Sequence, residues 1–172
     1  MSGKGTPATK AAAAAGVVHE IHEYEHDRAA ASFGSEAAIA LGIAPGRIHK
    51  TLLAAVERTG RTELVVAVVP VDAQLDLKAL ALAVGAKKAD MAKPSDAERT
   101  TGYVVGGISP LGQRKRLTTV IDADATQHAT VFVSAGRRGL EIELAAADLA
   151  SLTDATFAPI ATRAEKPGDW SR

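Results

Sequence analysis

The chain of 172 residues has no cysteine, which excludes disulfides, a thiolate zinc site and any thiol nucleophile supplied by the protein itself. It has no net charge either, because 20 acidic residues offset 20 lysines and arginines. No overall field attracts a polyanion, so contact with nucleic acid must come from a local basic patch. No apolar run reaches the roughly 18 residues of a membrane-spanning helix. The first residues, MSGKGTPATKAAAAAGVV, have a basic start and an alanine run but no strongly apolar Leu, Ile or Phe core of a secretory signal. The expectation is a cytoplasmic, non-secreted protein. Periodic repeats are absent, and the alanine runs reflect composition.

Enough hydrophobic sequence is present, 47% of residues, to bury the core of one domain. Residues 1–5 read as a disordered tip and 163–172 as a polar tail. Thr6-Pro7 suits the cap and first turn of a helix over Ala8 to Ala15, and Val17 to Glu25 alternates as a strand. Ser35 is expected to cap a helix over Glu36 to Leu41. Lys50 to Glu57 and Thr62 to Val69 read as strands joined by the hairpin signal Arg58-Thr59-Gly60-Arg61. Asp76 caps a helix to about Val84, and Pro94 opens another. Strands follow at Thr118 to Ile121, Thr130 to Ser134 and Leu140 to Leu144, then a helix from Ala146 to Leu152. Helices mixed with tight hairpins favour an α+β fold, a single domain whose mixed sheet is curled and barrel-like among short helices.

The stretch TTGYVVGGISPLGQRKRL, residues 100–117, holds Gly102, Gly106, Gly107, Gly112 and Pro110 around an apolar centre. Glycines permit close backbone approach to a ligand, and Tyr-Val-Val pins the loop to a core. Gly107-Ile108-Ser109-Pro110-Leu111-Gly112 approximates a serine nucleophile elbow but has one residue too many. The residue after the serine, Pro110, also lacks the N–H that an oxyanion hole needs. A phosphate-binding P-loop is excluded, since Gln113-Arg114-Lys115-Arg116 follows the glycines instead of G-K-[ST]. Two readings stay open: a wall of amides against ligand oxygens, or a tight crossover with solvated charges.

His22-Glu23-Tyr24-Glu25-His26 spells the zinc-peptidase motif H-E-x-x-H. That motif works only with both imidazoles one turn apart on a helix. On a strand the two lie about 13 Å apart, too far to share an ion, so no metal is expected. Basic pairs and runs, Lys87-Lys88, Arg114-Lys115-Arg116 and Arg137-Arg138, are either solvated turns or the shared rim of a cleft that takes phosphates. Lys50, at the start of an apolar strand, is either an edge lysine or one whose ammonium faces a pocket.

Tyr24-Glu25-His26-Asp27, Lys50-Thr51-Leu52-Leu53, Gly85-Ala86-Lys87-Lys88, Gly102-Tyr103, Gly106 through Gln113, and Gly139 through Leu144 occur in the order and near the spacing of one family. The chain closely resembles the YbaK-type Cys-tRNA(Pro) deacylases, in the wider group of prolyl-tRNA synthetase editing domains, from about Ala8 to Ala161. The likeness implies an editing domain over 6–162 that hydrolyses cysteine mischarged onto proline tRNA, in trans with prolyl-tRNA synthetase and without a cofactor. It implies that Lys50 is catalytic, facing the glycine loop, and that Tyr24, Phe33, Thr51, Gly106, Gly107, Ile108 and Ser134 line the pocket for the aminoacyl-adenosine end. Glu141 stands where the family has aspartate, its carboxylate one methylene further out. Lys87, Lys88, Arg114, Lys115, Arg116 and Arg137 are the candidate phosphate contacts. Because the protein offers no nucleophile, the reaction implied is attack by the substrate's own thiol on its ester.

Overall fold

The computed structural model describes residues 5–27 and 33–163, with residue 33 described by its backbone alone. The expected N-terminal tip and C-terminal tail therefore lie outside the described residues, apart from Gly5 and Arg163. Along the chain come α1 (Pro7–Ala15), β1 (His19–Glu23), α2 (Phe33–Leu41), β2 (His49–Arg58), β3 (Arg61–Pro70), β4 (Gln74–Leu75) and α3 (Leu77–Ala83). Then follow β5 (Lys88–Met91), α4 (Pro94–Thr101), β6 (Thr119–Asp122), β7 (Val131–Arg137), β8 (Leu140–Leu144), α5 (Ala146–Thr153), β9 (Thr156–Ala158) and β10 (Ala161–Thr162).

Local signals set several of these boundaries. Thr6 Oγ1 accepts from the Thr9 amide at 3.1 Å, while the Thr9 side chain accepts from the Thr6 N–H at 2.8 Å, a reciprocal cap on α1. Asp76 accepts from the Ala79 amide at 3.0 Å and starts α3. Pro94 opens α4, and Gly102, at φ 82°, closes it in the left-handed region. The expected cap at Ser35 is not where α2 begins: Ser35 sits inside the helix. A carboxylate in its first turn does the tying instead, since Glu36 accepts from the Asp27 amide and lies 3.0 Å from His26 Nδ1.

Strands β2 and β3 form the centre, paired antiparallel from His49↔Pro70 to Arg58↔Arg61. Thr59 and Gly60 both take positive φ, 50° and 73°, as a two-residue hairpin requires. The pair belongs to a five-stranded sheet, β5-β2-β3-β6-β9, with β6 parallel to β3 and β9 parallel to β6. Both faces of this sheet are covered. Val65, Ala67 and Val69 pack with Leu80 and Val84 of the α3 region, while Val66 and Val68 pack with Val131, Val133, Leu140 and Ile142. Double burial explains why β3 reads as an unbroken apolar run rather than an alternation.

The second set of core residues comes from a three-stranded antiparallel sheet, β1-β8-β7, and a third pairing joins β10 to β4. The α+β architecture with a mixed sheet matches expectation, but barrel closure does not. Among the described residues the two larger sheets share a core but are not joined edge to edge, their backbones meeting in one isolated bridge, Ile48↔Phe132. Within the smaller sheet, β7 bulges between Ser134 and Arg137 against β8.

Candidate active site

A cavity of about 450 Å³ opens where the start of β2, the middle of β7, the start of β8, the start of α2 and the glycine loop converge. Seven sequence-derived candidates line it: Tyr24, Lys50, Thr51, Gly106, Ile108, Ser134 and Glu141. Gly107 does not. It is buried behind the wall, and a Cβ there would stand 2.9 Å from the Arg137 Cα. Phe33 opens α2, and its side chain lies outside the described residues. The sequence reading missed His49, Val71, Met91, Pro94 and Val105, which also line the cavity. For Met91 and Pro94 no signal was available, because they enter through β5 and the entry to α4, and β5 was not legible. His49, next to Lys50, was the one with a signal.

The glycine loop owes its shape to bonds with its own backbone and with the end of α4, and to close packing on α1. Tyr103 Oη donates to the Leu111 carbonyl at 2.6 Å, Gln113 Nε2 to the Ser109 carbonyl at 2.9 Å, and the Arg114 amide to the Thr101 carbonyl at 2.9 Å. Gly112, at φ 66°, lies so close to α1 that a Cβ would stand 2.5 Å from the Pro7 carbonyl. Ser109 is fully buried and accepts from the Leu111 amide at 3.2 Å, which suits a structural hydroxyl rather than a nucleophile. Ser134 Oγ, at the cavity, accepts from the Gly136 amide at 3.2 Å.

The polar lining is unusual for its unused groups. Glu141 Oε2, Thr51 Oγ1 and His49 Nε2 are buried without hydrogen-bond partners, a state that costs about 1–3 kcal/mol per group until a ligand supplies the bond. Burial, with no compensating cation, pushes the Glu141 carboxyl up to about 8. Burial, then the neighbouring Glu141 charge, raises the Tyr24 phenol to about 12. Lys50 is half-buried, and desolvation lowers its pKa against the opposing pull of Asp72. Burial likewise lowers the His49 pKa, and its Nδ1–H donates to the Arg47 carbonyl at 3.2 Å. The neutral ring therefore presents Nε2 as an acceptor. The cavity thus offers an ammonium eased toward proton donation, a buried carboxyl and open hydrogen-bonding positions, between apolar walls such as Leu53 and Ala97.

Of the H-E-x-x-H residues, His22 lies in strand β1, with Nε2 2.9 Å from Glu143 Oε1, while His26 beyond the strand faces Glu36. Glu20, His22 and Glu143 bring one ligand atom each within 4.8 Å of one another. Glu143 is already occupied there, by Arg47 at 3.3 Å and by the Thr130 hydroxyl. Lys88 pairs with Asp90 at 3.4 Å and Arg137 with Glu23 at 3.3 Å. Lys115 and Arg116 line a second cleft of about 230 Å³, and Lys87, Lys88, Arg114 and Arg137 do not line the main cavity.

Known proteins share this sequence and shape. The aminoacyl-tRNA editing domain family matches residues 27–152. EbsC of Enterococcus faecalis, assigned as a Cys-tRNA(Pro)/Cys-tRNA(Cys) deacylase, is 48% identical over 123 residues, covering 72% of this chain and 73% of EbsC. The multifunctional Ser/Thr-tRNA deacylase ProXp-y of Escherichia coli is 35% identical over 81 residues, covering 47% of this chain and 48% of that protein. A crystal structure assigned as a trans-editing enzyme for prolyl-tRNA synthetase shares the fold, with a TM-score of 0.81 at 24% identity over 94% of this chain and 99% of the other. The match across most of its length, and the close likeness to EbsC, make this chain a member of the aminoacyl-tRNA editing domain family.

Proposed function

We propose that the protein is a deacylase that clears cysteine from mischarged proline tRNA, working in the cytoplasm in trans with prolyl-tRNA synthetase. The observation that carries this reading is the cavity itself. It holds Lys50 and Glu141 but, among the described residues, no serine or threonine hydrogen-bonded to a base that could activate it. Such a site suits a substrate that brings its own nucleophile. The cysteine sulfur attacks its ester carbonyl, the carbonyl-to-ribose C–O bond breaks, and a thiolactone and free tRNA result. Lys50 gives a proton to the departing ribose oxygen and regains one from the thiol, so no external reactant is needed. Glu141 receives the α-ammonium and ionises as it does so. The amide of Gly106 faces the developing oxyanion, and positioning together with this stabilisation supplies the rate.

The assignment of EbsC to cysteine esters supports this choice of amino acid, while the likeness to ProXp-y makes hydroxyl amino acids the rival substrates. The test is a deacylation panel of proline tRNA charged with cysteine, serine or alanine, with and without prolyl-tRNA synthetase. Cysteine should be released fastest, and the synthetase should increase the rate. Rapid release of serine would overturn the thiol-assisted step. Faster release of alanine would move the substrate elsewhere within the family, an unchanged rate in Lys50→Ala would remove Lys50 from the chemistry, and no release above the uncatalysed rate from any charged tRNA would leave a binding module without catalysis.

A further inference from the structure

The glycine loop continues past the cavity into Arg114, Lys115 and Arg116, three consecutive exposed cations. Arg47, Arg58, Lys88, Arg99, Arg137 and Arg163 each have a carboxylate partner. Among the described residues, no ion pair involves the 114–116 triplet. Its backbone is nonetheless held in place, by the Arg114 amide on the Thr101 carbonyl at 2.9 Å and by Gln113 on the Ser109 carbonyl. The Arg114 side chain lies over Gly102, where a Cβ would meet its Cβ and Nε at 3.5 Å. Lys115 and Arg116 border the second cleft, whose floor includes Leu117 and Leu152.

Helix α4 connects the two places. Pro94 and Ala97, in its first half, line the cavity, and Gly102, just past its end, lies under Arg114. Eight helical residues span about 12 Å, roughly three or four stacked nucleotides at 3.4 Å each. That is the length of the unpaired 3′ end of a tRNA. The acids on α4 are already engaged, Asp96 by Arg99 at 2.8 Å and Glu98 by the Val105 amide at 3.0 Å, so they do not compete for the triplet. In a chain of zero net charge, an unpaired and pinned triplet is where phosphates are best received.

We propose that Arg114, Lys115 and Arg116 bind backbone phosphates of the tRNA strand whose aminoacyl end occupies the cavity, the strand running along α4. This rests on the aminoacyl-tRNA reading of the cavity. The test is the combined variant Arg114→Ala, Lys115→Ala, Arg116→Ala, measured on Cys-tRNA(Pro) and on 2′(3′)-O-cysteinyladenosine between 50 and 200 mM salt. The variant should lose kcat/KM on the tRNA with kcat unchanged, and keep full activity on the short ester. Its log–log salt slope should be shallower by about 2, so that the wild type loses about 20-fold more across that range. Identical slopes would overturn the proposal, as would an equal loss on both substrates, which would report a damaged loop. A loss confined to assays containing the synthetase would also overturn it, in favour of a protein-docking surface. Anisotropy of labelled, uncharged tRNA separates the two levels. Salt-steep binding that the variant abolishes, in a protein that deacylates nothing, would refute the deacylase reading and uphold this one.

Discussion

Replacing Glu141 with glutamine should change how stability depends on pH. In the folded protein the carboxyl titrates near 8 rather than at 4.5, so between those values the folded state holds a proton that the unfolded chain releases. Stability is therefore full below about 4.5 and falls as pH rises towards 8. Each pH unit well inside that window removes about 1.4 kcal/mol. Between pH 5 and pH 8 the loss due to this group amounts to about 3 kcal/mol, allowing for incomplete titration at each end. Glutamine keeps the shape and cannot ionise, so the variant escapes the loss. Urea unfolding at pH 5, 6, 7 and 8 measures it as the difference between the two proteins. His49 and every other titrating group occur in both and cancel. The variant should gain on the wild type by about 3 kcal/mol from the lowest to the highest pH. Parallel stability curves would show that Glu141 ionises freely, and the picture of an unpartnered buried carboxyl awaiting a ligand would fail.

Lys50→Ala should lower kcat/KM for deacylation by about 10²–10³-fold with the fold intact by circular dichroism, and Lys50→Arg should not restore it, because a guanidinium does not give up a proton near neutrality. Activity within tenfold of wild type in Lys50→Ala would contradict the assignment. Gly112→Ala forces a Cβ to within 2.5 Å of the Pro7 carbonyl at φ 66°, and should cost about 1–3 kcal/mol in urea unfolding; an unmoved midpoint would refute the close packing of loop and helix. Thr6→Val removes the cap on α1 and the bond from Oγ1 to the Ala135 carbonyl at 2.5 Å. It should cost about 1–2 kcal/mol by the same measurement, and a neutral effect would mean that α1 is held by its alanines alone.

The elements that were readable in the sequence carry their own reason for forming. Arg58-Thr59-Gly60-Arg61 encodes its turn, and Asp76 and Pro94 mark helix starts, because each uses bonds within a few residues. Strand β5, Lys-Ala-Asp-Met, was not readable. It is largely exposed and exists because Ala54 to Glu57 pair with it, a tertiary cause that no local window contains. The short β4, β9 and β10 fail for the same reason. The site shows the same division. Glu141 and Glu143 alternate identically in Leu-Glu-Ile-Glu-Leu, yet one is buried with a raised pKa, while a threonine hydroxyl and His22 pull the other below its usual value. Family resemblance named Glu141, but only the three-dimensional arrangement shows that it lacks a partner.

The seat of Gly112 on the first turn of α1 sets a boundary for anyone who would move this domain. The stretch that matches the family's sequence pattern begins at residue 27, and a fragment cut there would keep every named cavity residue except Tyr24. It would also lose Pro7 and Ala8, against which the loop carrying Gly106 is moulded. A graft, fusion or minimal version of the protein must therefore carry residues from Thr6 onward, and a partner or tag that pulls on the N-terminus pulls directly on the wall of the active site.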